Sequence, residues 1–174
     1  YKFFKSLEMN IEKWKKLIKK KRKKIDIFFD IYGEKSLIIA KKLRADGVKI
    51  SAADSFNNEL IRDALKNFKK VFISISGLEL KQIRRIINLF KNNKNKIILM
   101  YGIQSEPTLI KDNNFLKLKK LIKIFPNIKF GLMEHTDGSD ELSKYLPLVS
   151  IGRGIDYIEK HITIDRKLKL EDYI

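Results

Sequence analysis

The chain has 174 residues, 44% of them hydrophobic, enough for one domain with a real core and too apolar for a disordered chain. No apolar run approaches the roughly 20 residues needed to cross a bilayer, and the absence of cysteine excludes a disulfide framework and thiol chemistry. The formal charge of +17 raises a polyanion as a partner, but the lysines are spread along nearly every expected helix, so the excess reads as solvated helix faces.

In chain order, Tyr1-Lys2-Phe3-Phe4 reads as the end of a strand. It has no initiator Met and no signal-peptide layout, so the chain is expected to be an internal piece of a longer protein. Asn10 caps a helix through Trp14, Leu17 and Ile18, and the basic run from Lys15 to Lys24 is its polar face and end. Ile25 to Tyr32 is rich in Ile and Phe and reads as a buried strand. A helix over Glu34 to Ala45 and a short strand over Val48 to Ser51 follow. Asn57 or Asn58 starts the next helix, through Leu60, Ile61, Leu65 and Phe68. Val71 to Ile75 is a strand stopped by Ser76-Gly77. An amphipathic helix runs from Glu79 to about Lys91, and Lys96 to Tyr101 is a strand ending in Gly102. Asn113 or Asn114 caps a helix to Phe125, and Ile128 to Met133 is a strand. Ser139 is expected to cap a shorter helix around Leu142 to Leu146, and the last strand is expected over Ile155 to Ile164.

The pattern is strand then helix, six times, with short and nearly continuous apolar strands. Such strands belong to a parallel sheet covered on both faces. Strict alternation leaves two architectures open, a doubly wound sheet and a (β/α) barrel. The expected strand ends bring polar residues to one rim: Asp30 and Tyr32, Lys49 and Ser51, Ser74 and Ser76, Gln104 and Glu106, Glu134 and His135, Glu159 and His161. His135 and His161 are the only histidines, and each follows a short apolar run. If their strands are neighbours in a parallel sheet, both imidazoles emerge at the same edge. Spacing alone leaves two readings open, a divalent-metal site and two separately hydrogen-bonded structural histidines.

Two segments carry a family resemblance. Gly131-Leu132-Met133-Glu134-His135-Thr136-Asp137-Gly138 resembles the Gly-Tyr-Ser-Asp-His-Thr-x-Gly element of sialic acid synthases. Ile158-Glu159-Lys160-His161-Ile162-Thr163-Ile164-Asp165 resembles that family's Ile-Glu-Lys-His-Phe-Thr-Leu-Asp element. The resemblance implies an α/β chain of the (β/α)8 TIM-barrel type, holding about strands 2/3 to 8. It further implies one partial barrel domain over residues 1–174, with the first βα unit and the small C-terminal antifreeze-like domain absent.

The family joins phosphoenolpyruvate to the aldehyde of an N-acetylated amino sugar and makes a nine-carbon 2-keto acid. The resemblance therefore implies His135 and His161 as metal ligands, with Mn2+ as the ion and Mg2+ or Co2+ as alternatives. It implies Glu159 and Glu134 as catalytic residues, with Glu159 orienting the sugar. Lys49, in Val-Lys-Ile-Ser, matches the family lysine that binds phosphoenolpyruvate. Ser76, Gly77, Gln104 and Lys2 are the other implied substrate-binding residues. Two small-molecule substrates, a cytoplasmic location and a homodimer are expected; nucleic acid and membrane are not.

Several positions depart from the family's elements. Ala52 stands where the family has a serine, and Ile75-Ser76-Gly77-Leu78 replaces Ser-Thr-Gly-Met. Gln104-Ser105-Glu106-Pro107-Thr108 places a carboxylate where an aromatic belongs. Asp30-Ile31-Tyr32-Gly33 replaces Thr-Pro-Phe-Asp. Added negative charge at Asp30 and Glu106 would repel a trianion. These departures keep open a catalytically impaired relative acting as a sugar- or metal-binding or scaffold domain. A basic nucleic-acid module is a third class, marked only by steep salt dependence.

Overall fold

The computed structural model describes residues 2–20 and 25–168. Tyr1, the 21–24 end of the basic run and the tail 169–174 lie outside the described residues. The chain divides into two compact units, residues 1–71 and 72–174.

The first unit holds α1 (Lys2–Ser6), α2 (Ile11–Lys19), β1 (Phe28–Ile31), α3 (Glu34–Lys42), β2 (Gly47–Ile50) and α4 (Asn58–Asn67). Lys2 lies exposed in helix α1, not at the end of a strand as expected. A helical turn bonds its own backbone, whereas a strand needs a partner alongside it. The helix caps follow the sequence signals: Asn10 accepts from the Lys13 amide at 2.9 Å, and Asn57 from the Leu60 amide at 3.1 Å. β1 and β2 pair in parallel with Asp30 opposite Lys49. Gly47 opens β2 because a Cβ there would sit 2.6 Å from the Lys70 carbonyl oxygen and 2.3 Å from the Phe28 ring. Ile31, Val48, Ile50, Ile61 and Ala64 are fully buried and form this unit's core. Trp14 meets Phe29 edge to face, ring centroids 5.2 Å apart.

β3 (Val71–Ser74) begins at the boundary between the units. The second unit continues with α5 (Leu80–Leu89), β4 (Ile97–Tyr101), α6 (Phe115–Ile124), β5 (Lys129–Glu134), α7 (Leu146–Ile151) and β6 (Tyr157–Lys160). Glu79 and Gln82 form a reciprocal capping box at the start of α5, and Asn114 caps α6. All five residues of β4 are buried, as both-face cover of a parallel strand requires. Ile98, Met100 and Met133 form a buried cluster with Phe72 and Tyr157 packed against it.

Two expectations in this unit are corrected. Ser139 does not cap a helix: its amide and hydroxyl both donate to Asp137, and Asp140 caps a 3-10 turn over Glu141–Lys144 instead. The helix proper starts later, at Leu146, where Pro147 fits a first turn that needs no amide donor. The last strand is also shorter than Ile155 to Ile164. Its ladder with β5 ends at Glu134 opposite Lys160, and a strand cannot extend its pairing past its partner's end. Ile162 and Ile164 are accordingly 95% and 97% exposed.

The strands follow chain order in the sheet, β1-β2-β3-β4-β5-β6, and the registered pairs are parallel. A doubly wound sheet reverses its strand order at a switch point. Sequential order without reversal is that of a (β/α)8 barrel carrying part of its strands.

Candidate metal centre

Parallel pairing and a shared register bring the two histidines together. β5 and β6 run side by side with Gly131 opposite Tyr157 and Glu134 opposite Lys160. His135 and His161 are each the next residue after these strand ends, so they leave the sheet at the same edge. Their ring centroids lie 5.0 Å apart with a 41° tilt, and both are half-buried. The condition set by the sequence pattern, that the two strands be neighbours, is met.

A third donor comes from the segment after β4. Glu106, His135 and His161 each offer a ligand atom, and these atoms lie within 4.8 Å of one another. An octahedral ion about 2.1 Å from each donor wants separations of roughly 3 to 4.2 Å, so a small inward movement of the side chains closes the set. Two imidazole nitrogens and one carboxylate oxygen suit a divalent first-row ion.

The surroundings aim these donors. His135 Nδ1–H donates to the Ile103 carbonyl oxygen at 3.0 Å, which leaves Nε2 as the acceptor. That nitrogen lies 3.8 Å from Glu106 Oε1. The Thr108 amide donates to the His135 carbonyl at 2.8 Å, and the Thr108 hydroxyl closes onto Ser105 at 2.6 Å. Gly102 permits this close passage, since a Cβ there would sit 2.8 Å from the Met133 carbonyl oxygen. The Glu106–Pro107 peptide bond is cis.

Glu134, expected as a catalytic residue, is held within the protein. It is 2% exposed, its Oε1 accepts the Thr136 amide at 2.7 Å, and its Oε2 is ion-paired with Lys160. Lys160 also donates to the Ser143 carbonyl at 3.3 Å. Both carboxylate oxygens are thus engaged by the protein, and the pair joins the ends of β5 and β6 one residue before each histidine. Glu134, Lys160 and Thr136 line the small pocket that holds Glu106, His135 and His161. Glu159 is half-buried on β6 opposite Met133. Strand alternation puts it on the face opposite Lys160, the one that carries Tyr157.

The remaining expected site residues are placed as follows. Ser76 is buried and its hydroxyl donates to the Gly102 carbonyl at 2.9 Å. Gly77 has φ +73°, the left-handed turn conformation that favours glycine, and Gln104 is exposed. In the first unit, Lys49 pairs with Asp30 at 3.0 Å. Also there, Ser51 Oγ is buried with no hydrogen-bond partner among the described residues. Glu106 is the residue that sequence reasoning undervalued. It was read as a charge hostile to an anionic substrate, and the structure groups it with the two histidines.

Among the described residues, no helix is long and apolar enough to cross a membrane. The model of the NeuB family matches residues 1–174. An uncharacterized protein of Methanocaldococcus jannaschii is 33% identical over 99% of this chain and 50% of its own length. The N-acetylneuraminate-9-phosphate synthase of Drosophila melanogaster is 25% identical over 86% of this chain and 39% of its own length. The crystal structure of an N-acetylneuraminic acid (sialic acid) synthetase from Leptospira borgpetersenii, 25% identical, superposes with a TM-score of 0.82, covering 95% of this chain and 56% of that one. The chain thus spans about half the length of the relatives it matches, or less. With the motifs, the sequential parallel strands and the family match in agreement, this chain belongs to the NeuB family.

Proposed function

We propose that this chain carries the metal-binding part of a nonulosonate synthase, an enzyme that condenses phosphoenolpyruvate with an N-acetylated amino sugar. The observation that supports this best is the meeting of His135 and His161 at adjoining strand ends. In this reading the two imidazoles hold a divalent ion, Mn2+ by family resemblance. The ion supplies Lewis-acid polarisation of the sugar aldehyde. Glu159 orients the sugar near the metal, by family resemblance. Lys49 binds the phosphoenolpyruvate anion, with Ser76, Gly77 and Gln104 as further substrate contacts. Glu134 is reassigned from chemistry to positioning, because Lys160 neutralises its carboxylate.

The reaction balances as follows. C3 of phosphoenolpyruvate bonds to the aldehyde carbon, whose oxygen takes a proton. Water adds at C2, inorganic phosphate leaves, and the 2-keto acid forms. Lys49 keeps the anionic reactant in place, which contributes to rate by positioning.

A second reading has its own support. Lys49 is paired with Asp30, and the Ser76 hydroxyl is committed to Gly102, so groups expected to serve phosphate already serve the protein. That pattern fits a relative that keeps sugar or metal binding and has lost the condensation. Phosphate release separates the two. The full-length protein is incubated with Mn2+, phosphoenolpyruvate and a panel of N-acetylated hexosamines and related amino sugars. Sugar-dependent release supports the synthase. No release with any sugar, in a protein that still takes up Mn2+, supports the impaired relative.

A further inference from the structure

We infer that Glu106 is a third protein ligand to the divalent metal. This rests on the two-histidine reading above and goes beyond it, since the resembled element carries an aromatic at this position.

The first argument is position. Glu106 has a carboxylate oxygen within 4.8 Å of a donor atom on each histidine, and Oε1 lies 3.8 Å from His135 Nε2. The second is how its segment is held. Ile103 accepts from the His135 ring, and Thr108 donates to the His135 backbone, so the chain is fastened to His135 on both sides of Glu106. A ligand on a segment anchored at both ends loses little freedom on binding, which favours affinity.

The third argument is charge. Two neutral imidazoles leave a divalent ion at its full charge in a half-buried pocket. Of the two carboxylates lining that pocket, Glu134 already shares its charge with Lys160. Glu106 remains to neutralise part of the ion's charge. The resulting set of two imidazoles and one carboxylate leaves coordination positions open for substrate oxygens. It holds the metal before any substrate arrives.

The same reasoning excludes Glu134 as the third ligand. It lies under Lys160 and the Thr136 amide with its side chain 1% exposed, and turning it toward the ion would break both of these contacts.

The test measures Mn2+ affinity of the full chain by calorimetry without any substrate, with far-ultraviolet circular dichroism as the check on folding. Glu106→Gln keeps the shape and removes the charge. It is expected to weaken Mn2+ binding by about 10- to 100-fold, the loss typical when even a supporting residue of a metal site is removed. Glu106→Asp, which retains a carboxylate, is expected to fall between Gln and the unaltered protein. Co2+-loaded protein gives a second readout, because its visible absorption bands move when a ligand is exchanged. Unchanged affinity and unchanged Co2+ bands in Glu106→Gln, with binding abolished in His135→Ala, would overturn the third ligand and leave the two-histidine site standing. No Mn2+ binding by the unaltered protein would overturn both. Should the Gln variant fail to fold, the Asp variant and its Co2+ spectrum decide the matter on the same terms.

Discussion

Lys160→Met tests whether the pair beneath the histidines organises the site. The substitution removes the ammonium and keeps an apolar stem of similar length. Glu134 is then left with one donor, the Thr136 amide at 2.7 Å, in surroundings where its side chain is 1% exposed. Removing one member of a fully buried pair costs about 3–5 kcal/mol, whereas an exposed pair is worth about 0–1 kcal/mol. The lysine end is 39% exposed, so water screens part of the interaction. The expected loss lies between the two regimes, about 2 kcal/mol. At roughly 2–4 °C per kcal/mol for a chain of this size, Tm falls by about 4–8 °C. Glu134→Gln combined with Lys160→Met removes both charges and is expected to recover most of the loss. Urea unfolding followed by circular dichroism reads both variants. Because Lys160→Met removes a positive charge from the pocket and leaves the Glu134 carboxylate unneutralised beside the ion, Mn2+ affinity should rise in that variant and return in the double variant. A loss under about 0.5 kcal/mol, or a double variant no better than the single, would refute the buried-pair reasoning.

Three further outcomes are expected. Lys49→Ala should change stability by less than about 1 kcal/mol, since Asp30 is 35% exposed and can be solvated. The same variant should weaken phosphoenolpyruvate binding at least about tenfold with sugar binding unchanged, as the loss of a charge-assisted contact predicts; equal losses in titrations of both would make the lysine structural. Gly131→Ala would place a Cβ 2.5 Å from Met100 Sδ and 3.1 Å from Tyr157 Cβ. It should cost about 1–3 kcal/mol by thermal unfolding, and an unchanged Tm would show that Met100 swings aside freely. The Ser139 hydroxyl and amide, and then Arg166, hold the Asp137 carboxyl below the usual carboxylate range. A lowered folded value means this contribution is present at neutral pH and is lost as pH falls through it. The Ser139 amide proton resonance should therefore keep its hydrogen-bonded shift through the ordinary carboxylate range and move only at lower pH, and Asp137→Asn should remove that pH dependence.

Much of the site was legible because its signals are local. Apolar runs marked β4 and β5, and Asn10, Asn57 and Asn114 marked helix starts through side-chain acceptors. Each histidine follows a short apolar run in the sequence, and parallel pairing of β5 with β6 brings the two together at one edge. Other features were not legible for physical reasons. β6 was drawn too long because an apolar alternation continues past Lys160, while the end of a strand depends on where its partner stops. Lys2 was placed on a strand because so short a run, Tyr1-Lys2-Phe3-Phe4, carries no periodicity from which to tell helix from strand. The ion pair of Glu134 was not legible because nothing near it in the chain announces a partner 26 residues away.

By itself, the sequence determined the alternation of strand and helix, the apolar faces and the identity of the two imidazoles. Each of these depends on residues within a few positions of one another, where backbone geometry alone sets which side chains share a face. Tertiary structure decided which carboxylate meets those imidazoles. Glu106 is 29 residues from His135, and it comes near only because Gly102 lets the chain pass close to Met133 and because Ile103 and Thr108 bond to His135. Glu134 is adjacent to His135 in the chain, yet Lys160 takes up its charge. Which of two carboxylates is open to a metal is set by the partners each meets in space, and those partners come from strands and loops far apart in the chain.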